Sequence, residues 1–377
     1  MRILIVGAGI GGTILANLLA RRLREDLRRG GVTLTVLSAS PSHLYQPGLL
    51  YVALGEMSPA ELYRDERELL DPLVRFEVDP VTDFMLDAKK VATRSGAVHD
   101  YDLLVIATGS RTVPEEVPGL AGNAHSFYTE DAALRMCRAV QAFDGGKVVI
   151  VMGVPHKCPM APLEMTFLLH EQFVRRGIER RVDMLYTYPV GRLHSIENVA
   201  RWAAVEFDRR GIRSETFFNL AEVDGANRLV RSEEGSVVEY DLLIAIPPHH
   251  GAPEIERAGL GARGWIPTHR RHLTMQGQDD VYVIGDTTNL PISKAGSTAR
   301  FQAELLCHNI AARVRGCSMT RSYDGKVFCF IETGRGRASY ASFNYDEPPE
   351  PPSPSRSIQM LKTLYHRMYW ASLKGLP

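Results

Sequence analysis

The stretch R-I-L-I-V-G-A-G-I-G-G at positions 2–12 constrains the fold of this chain more than any other. From Arg2 to Val6 nothing alternates between polar and apolar, which is the pattern of a strand covered on both faces, as in a parallel sheet. Gly7, Gly9 and Gly12 then form G-x-G-x-x-G. The first glycine permits the turn, the second lets the backbone approach a pyrophosphate, and the third lets the helix close on the sheet, with the helix N-terminus facing the phosphates. A helix predicted from Gly12 to about Arg28 carries its apolar face through Ile14, Leu15, Leu18, Leu19 and Leu23, and Val32–Leu37 reads as the next strand. This βαβ unit is the context in which the motif binds a dinucleotide.

Two further apolar strands fit the same sheet. One, Asp102–Ile106, ends in Ala107-Thr108-Gly109, and the other, Val281–Ile284, ends in Gly285-Asp286. Between them lies a second α/β alternation: a strand at 147–152, a helix from about Pro162 to Arg176, a strand at 181–186, a helix from about Asn198 to Arg210 and a strand at 241–246. The fold class is therefore α/β, with two Rossmann-like nucleotide-binding domains, one inserted in the other. The predicted division is 1–114 with 266–315 for the first, 115–265 for the second, and 316–377 for a C-terminal region.

With 377 residues, 45% of them hydrophobic, the chain can bury a sizeable core. Lys+Arg 44 against Asp+Glu 44 leaves no basic footprint for nucleic acid. The strand starting at Arg2 leaves no room for a cleaved secretory signal, and no apolar run reaches the roughly 18 residues that span a bilayer. The five cysteines, Cys137, Cys158, Cys307, Cys317 and Cys329, form no C-x-x-C pair and no zinc-like pattern, so no metal is expected. Cys137, Cys307 and Cys317 read as small apolar side chains.

Cys158 is different. The strand K-V-V-I-V-M at 147–152 should open a second phosphate loop, yet Gly153-Val154-Pro155-His156-Lys157-Cys158-Pro159 follows it. Two prolines bracket this cysteine in a stiff loop, an odd place for a filler residue. The second strand ends Leu37-Ser38, so a serine stands where an acid would hold a ribose 2′-hydroxyl, and Ser38 is the candidate for that bond.

Several of these segments are shared with one family. They are G-x-G-x-x-G at 7–12, Tyr45-Gln46-Pro47-Gly48, Ala107-Thr108-Gly109, Cys158 with Glu164 after it, Gly285-Asp286 with S-K-A-G at 293–296, and V-F-C-F-I-E at 327–332. On them the chain resembles the sulfide:quinone oxidoreductases and their flavocytochrome sulfide dehydrogenase relatives, from Met1 to the C-terminus. The resemblance implies FAD bound by Gly7, Gly9, Gly12, Ser38, Pro47, Thr108, Gly109 and Asp286. Lys294, beside a helix N-terminus, is either a cation for the reduced flavin or a solvated loop lysine.

The resemblance further implies that Cys158 and Cys329 form a redox pair opened by hydrogen sulfide. One cysteine is left as a persulfide and the other as a thiolate, and the Cys329 thiolate then attacks the flavin, which takes up the electrons. Thiolate character is to be favoured by His156, Lys157 or Lys326. Glu164 is a candidate proton shuttle or, equally, an acid in the first turn of its helix, and His194 falls near a functional histidine of the family. The third cysteine of many relatives is replaced at Tyr128, so FAD is expected to be noncovalent.

The acceptor implied is a membrane quinone. Tyr345–Ser355, Y-D-E-P-P-E-P-P-S-P-S, is an extended linker that isolates a tail. In that tail Leu361, Leu364, Tyr365, Met368, Tyr369, Trp370, Leu373 and Leu376 recur at helical spacing, with Arg356, Lys362, Arg367 and Lys374 flanking them. Such a helix suits peripheral attachment to the cell membrane, or docking on the protein's own core or on a partner in a homo-oligomer. The rival readings are a type II NADH dehydrogenase, a soluble sulfide dehydrogenase passing electrons to a cytochrome, and a non-catalytic FAD-binding protein. The first lacks its second glycine fingerprint, broken at Pro155, His156 and Cys158, and an acid after the strand ending Tyr186-Thr187-Tyr188.

Overall fold

In the computed structural model, which describes residues 1–375, the glycine-rich stretch joins strand β1 (Arg2–Val6) to helix α1 (Ile10–Arg22), and strand β2 (Thr33–Ser38) follows. The helix expected to run to Arg28 breaks at Leu23, and a short separate helix covers Arg24–Arg28. No residue of that short helix is fully buried, and Leu27 alone of it packs against the core, too little apolar contact to hold it on the axis of α1. Strands β3 (Arg75–Val78) and β4 (Leu103–Ile106) complete the first pass.

The chain then builds β5 (Gly146–Met152), α2 (Met160–Arg175), β6 (Val182–Tyr188), α3 (Glu197–Asp208), β7 (Arg213–Thr216) and β8 (Leu242–Ile246). It returns to the first sheet as β9 (Val281–Val283) and continues into α4 (Gly296–Val314). The first sheet has the order β9-β4-β1-β2-β3 and the second β7-β6-β5-β8, with every neighbouring pair parallel. Val6 pairs with both Leu37 and Ile106, so the turns leaving β1, β2 and β4 sit at one edge. In doubly wound sheets this carboxyl edge is where ligands bind.

An antiparallel hairpin, β10 (Val327–Gly334) and β11 (Arg337–Phe343), leads to helices α5 (Arg356–Arg367) and α6 (Tyr369–Leu373). The proline-rich stretch before α5 does not isolate them. Ser339 Oγ donates to Pro352 O (2.7 Å), Ala338 and Ser355 exchange backbone hydrogen bonds, and Ser355 Oγ caps α5 by accepting from Ile358 N. Prolines cannot donate to a ladder, but their carbonyls still accept, which is how this segment lies along the hairpin.

The tail also divides its helical face in two. Lys362, Tyr369 and Leu373, spaced by seven and then four residues, are buried against the body of the protein, whereas Met360, Leu361, Leu364, Tyr365 and Met368 are exposed. Leu376 lies outside the described residues. Asn17 of α1 donates to Leu373 O (2.8 Å) and Leu69 O (2.9 Å) and accepts from Asp71 N (2.7 Å). Buried His43 places Nδ1 2.9 Å from Glu66 Oε2 and Nε2 2.9 Å from Tyr369 Oη, while Thr13 Oγ1 donates to Glu66 Oε1 (2.5 Å).

A carboxylate only accepts, so His43 donates from Nδ1 to Glu66, and its Nε2 is paired with the Tyr369 hydroxyl. Tyr369→Phe leaves that buried nitrogen without its partner. The variant is expected to lose about 1–3 kcal/mol of stability, read as a lower denaturation midpoint with an unchanged slope.

Candidate active site

The carboxyl edge of the first sheet is shaped for a dinucleotide. At Gly7, where φ is +107°, a Cβ would lie 2.4 Å from Ala107 O, and at Gly12 it would lie 1.9 Å from Gly7 O. Both positions are thus closed to any side chain. At Gly9 a Cβ would meet nothing within 4 Å, and no side chain caps the first turn of α1 that begins there. Open space in front of the N–H groups of a helix N-terminus is what a pyrophosphate fills, and the residues present fit a dinucleotide cofactor.

The remaining predicted binding residues gather around this cradle. Ser38 Oγ accepts from Ser40 N (3.2 Å), which leaves its hydroxyl hydrogen for a ribose oxygen. Thr108 Oγ1 donates to Thr287 Oγ1 (3.2 Å), tying the turn that contains Gly109 to the turn after β9. Ser110 Oγ donates to Asp286 Oδ2 (3.0 Å). Gln46, next to Pro47, accepts from Lys157 Nζ (2.8 Å), so the Tyr45–Gly48 loop reaches the sulfur loop.

Lys294 is not a solvated loop lysine. Its Nζ donates to Asp286 O (2.9 Å) and Thr288 O (2.5 Å) and lies 4.3 Å from the centroid of the Trp265 ring. Burial draws its pKa down to about 8, against the pull of the Asp286 carboxylate. Burial would by itself raise Asp286, but the cations of Lys157 and Lys294 and the Ser110 hydroxyl outweigh it and hold the carboxyl below its ordinary value.

Cys158 sits between β5 and α2, at φ +45°, a backbone region that a non-glycine residue occupies only when its surroundings impose it. Cys329 arrives from β10 by alternation: Val327, Cys329 and Ile331 are buried, and Phe328, Phe330 and Glu332 take the other face. The two thiols lie beside each other and each shifts the other's ionisation. The Cys329 thiol, with the Ala161 N–H and the Lys157 cation, holds Cys158 below an ordinary thiol despite burial. The Cys158 thiol and burial push Cys329 well above, relieved in part by the Ser297 hydroxyl.

The first negative charge of the dithiol therefore rests on Cys158. Of the three neighbours expected to favour a thiolate, Lys157 is the one that does so. Lys326 Nζ donates to Ser342 Oγ (2.9 Å), and burial holds the His156 ring neutral.

Glu164 is not the first-turn acid of its helix. Helix α2 begins at Met160, so Glu164 lies past its first turn, and its Oε1 accepts from Glu332 N (3.2 Å) and from Lys362 Nζ. Lys362 also donates to Glu332 Oε2 (3.1 Å), which accepts from Tyr51 Oη (2.9 Å). Burial draws Lys362 down to about 7 and raises Glu332, so burial shifts the ammonium and the carboxylate toward each other. Sequence reasoning missed Lys362, Glu332 and Tyr51 as site residues. The available signal was the seven-residue spacing that places Lys362 on the same helical face as Tyr369.

His194 is fully buried and hydrogen-bonds to neither cysteine. Its Nδ1 accepts from Ile196 N (3.0 Å), and its pKa is pushed down to about 3, first by burial and then by nearby His156. Cys137 is partly buried on the helix Glu130–Ala142, Cys307 is buried and raised to about 11 by burial, and Cys317 is exposed. No cluster of His, Cys, Asp and Glu able to hold a metal ion occurs among the described residues.

Residues 1–303 match the pyridine nucleotide-disulphide oxidoreductase family, and the chain belongs to it. Within that family it is similar to the mitochondrial sulfide:quinone oxidoreductase of Dictyostelium discoideum, 26% identical over 91% of this chain and 78% of that protein. The Mus musculus enzyme of the same name is 25% identical over 92% and 79%. The X-ray structure of the sulfide:quinone oxidoreductase from Aquifex aeolicus superposes with a TM-score of 0.88 at 20% identity, covering 99% of this chain and 91% of that one.

Cys158 is part-exposed and Cys329 buried, so iodoacetamide should alkylate Cys158 first in the reduced protein. Lys157→Met removes a cation that lowers the Cys158 pKa. The midpoint of its alkylation-against-pH curve is expected to move to higher pH, and each pH unit of that movement lowers the alkylation rate at pH 7 about tenfold.

Proposed function

We propose that this chain is an FAD-dependent sulfide:quinone oxidoreductase, which oxidises hydrogen sulfide to sulfane sulfur or polysulfide and passes two electrons to a membrane quinone. The observation that carries this proposal is the meeting of Cys158 and Cys329 beside a dinucleotide cradle. Similarity over most of the chain to proteins named for that reaction supports it. NADH is disfavoured as the donor. At Gly153, after β5, a Cβ would lie 2.5 Å from Pro248 Cδ, and β6 runs out at Tyr188 with no acid to hold a second ribose.

In the oxidised pair the sulfide sulfur bonds to Cys158, the more accessible of the two. The Cys158–Cys329 bond breaks and its electron pair stays on Cys329 as a thiolate. Ser297, in the first turn of α4, supplies a hydroxyl to that sulfur, and the positive end of the helix dipole favours the same charge. Bound FAD supplies the two-electron acceptor. In sum, one sulfide gives up two electrons and its protons, and its sulfur leaves as sulfane sulfur. FAD is held without a covalent bond, because Tyr128 takes the place of a third cysteine.

Residues 1–114 and 266–315 form the unit that holds FAD, 115–265 the unit that carries Cys158, and 316–377 the quinone side. There Lys362, with Glu164, Glu332 and Tyr51, is suited to deliver a proton to the reduced quinone. Met360 is 73% exposed, Leu361 58% and Leu364 53%; with Tyr365 and Met368 they form an apolar stripe flanked by Arg356, Arg367 and Lys374. Among the described residues no helix is long and apolar enough to cross a membrane, and the stripe suits a helix lying in one leaflet.

Two measurements test these assignments. In the FAD-loaded protein without oxygen, sulfide is expected to bleach the flavin absorbance and NADH to leave it unchanged. Cys158→Ala or Cys329→Ala should lower sulfide-dependent quinone reduction by at least about a thousandfold, a loss typical of removing a nucleophile; bleaching by NADH alone would refute the proposal. In vesicle flotation, Leu361→Glu with Leu364→Glu should shift the protein from the floated to the soluble fraction while its flavin spectrum is retained.

A further inference from the structure

A second histidine, outside the residues discussed so far, stands behind the sulfur loop. His249 N donates to Pro155 O (2.6 Å), so the side chain at 249 is carried to the loop that bears Cys158. The residue is 1% exposed. Its Nδ1 lies 2.8 Å from Pro247 O. A carbonyl oxygen only accepts, so Nδ1 carries the hydrogen and Nε2 of the neutral ring presents a bare lone pair. Burial, and then the Lys157 cation, push this ring down to about 3, which keeps it neutral at any working pH.

That Nε2 has no hydrogen-bond partner among the described residues. Neither does the hydroxyl of Tyr128, whose buried ring stands edge-on to the His249 ring at 4.6 Å between centroids. Tyr128 is close enough to Cys158 for the thiolate charge to raise its phenol, although burial is the larger cause of that shift. Polar atoms this deeply buried are normally satisfied, so two of them side by side next to a reactive sulfur call for a ligand. His194 does not offer the same group: its Nδ1 accepts from Ile196 N, so its Nε2 carries the hydrogen.

The ligand must offer one hydrogen to Nε2 and one lone pair to a hydroxyl, and must suit a pocket with a lysine cation nearby. Resting on the sulfide-oxidising function proposed above, we propose that His249 Nε2 and the Tyr128 hydroxyl form the subsite that holds hydrosulfide against Cys158. The S–H of the ion donates to Nε2 and the tyrosine hydroxyl donates to its sulfur, with the Lys157 cation nearby. A lone pair on sulfur is left for the Cys158 sulfur. Because the histidine only accepts a hydrogen bond here and takes no proton, binding needs no proton transfer, and attack on the disulfide then moves the negative charge from the bound sulfur to Cys329. An anion without a hydrogen, such as chloride, leaves Nε2 unsatisfied and is selected against.

The test uses the full-length, FAD-loaded enzyme in anaerobic stopped flow, with the rate of flavin bleaching followed against sulfide concentration. Tyr128→Phe and His249→Phe are each expected to raise the half-saturating sulfide concentration about tenfold, as the loss of one ligand hydrogen bond in a dry site would, with the limiting rate changed less than about twofold. Tyr128→Phe removes a single oxygen, and its FAD content reports whether the fold is kept. His249→Gln, which restores an acceptor, should recover part of the loss. An unshifted half-saturating concentration in both phenylalanine variants overturns the subsite, and so does a fall in the limiting rate alone. If sulfide fails to bleach the unaltered enzyme, the sulfide-oxidising function falls and the subsite with it, an outcome distinct from bleaching without a shift.

Discussion

The site depends on one buried cation. Lys157, two residues past Pro155 in the loop after β5, donates to Gln46 of the first half of the chain and lies 3.4 Å from Asp286 after β9. It lowers both Asp286 and Cys158. A buried ammonium is tolerated only when it is paired and hydrogen-bonded, so these contacts require one another. By satisfying Lys157, the carboxyl edge of the first sheet is drawn to the sulfur loop of the second. The same residue that links the two sheets thus sets the charge on the proposed sulfur acceptor.

A second constraint is the two-residue period of β10. One face of that strand presents Cys329 to Cys158, and the other presents Phe330 and Glu332 to the C-terminal helix, where Phe330 meets Tyr365 at 5.7 Å between ring centroids. Two chemistries are kept apart by the thickness of a single strand. The sulfur side holds thiols and a bare imidazole, and the other side holds a lysine hydrogen-bonded to two carboxylates. Electrons need to pass between the sides through the cofactor, but protons released on one side do not have to reach the other.

The first sheet was legible in the sequence because its information is local. Arg2–Gly12 names a strand, a turn and a helix start within one short stretch, and the turn residues Gly7, Gly12 and Gly109 are chosen by backbone geometry alone. Cys158 was legible because it interrupts a pattern that the preceding strand had announced. The Lys362 cluster was not, since Glu164, Glu332, Lys362 and Tyr51 come from four elements and none of them marks a local motif. Nor was the role of His249: its tautomer is set by the Pro247 carbonyl, a contact that only the folded turn creates. The error at the proline-rich stretch has the same origin. Composition predicts that it cannot pair as a strand interior, but says nothing of its carbonyls accepting from the hairpin beside it.

The tail follows from the same physics at a larger scale. A helix whose apolar residues covered one face alone could dock on the protein or on a membrane, but not on both. Here the docking face is short and partly polar: Lys362, Tyr369 and Leu373 are held by Glu332, His43 and Asn17. Hydrogen bonds together with the packing of Tyr369 and Leu373 into the core fix the helix to the body, and Met360, Leu361, Leu364, Tyr365 and Met368 are left for an outer surface. A buried lysine is otherwise a poor choice for an anchor. Its use at this point makes sense if the anchor is also a proton source, because burial is what brings an ammonium to a pKa of about 7. The residue that fastens the apolar stripe to the protein is then the one whose proton is most readily given to a molecule arriving along that stripe.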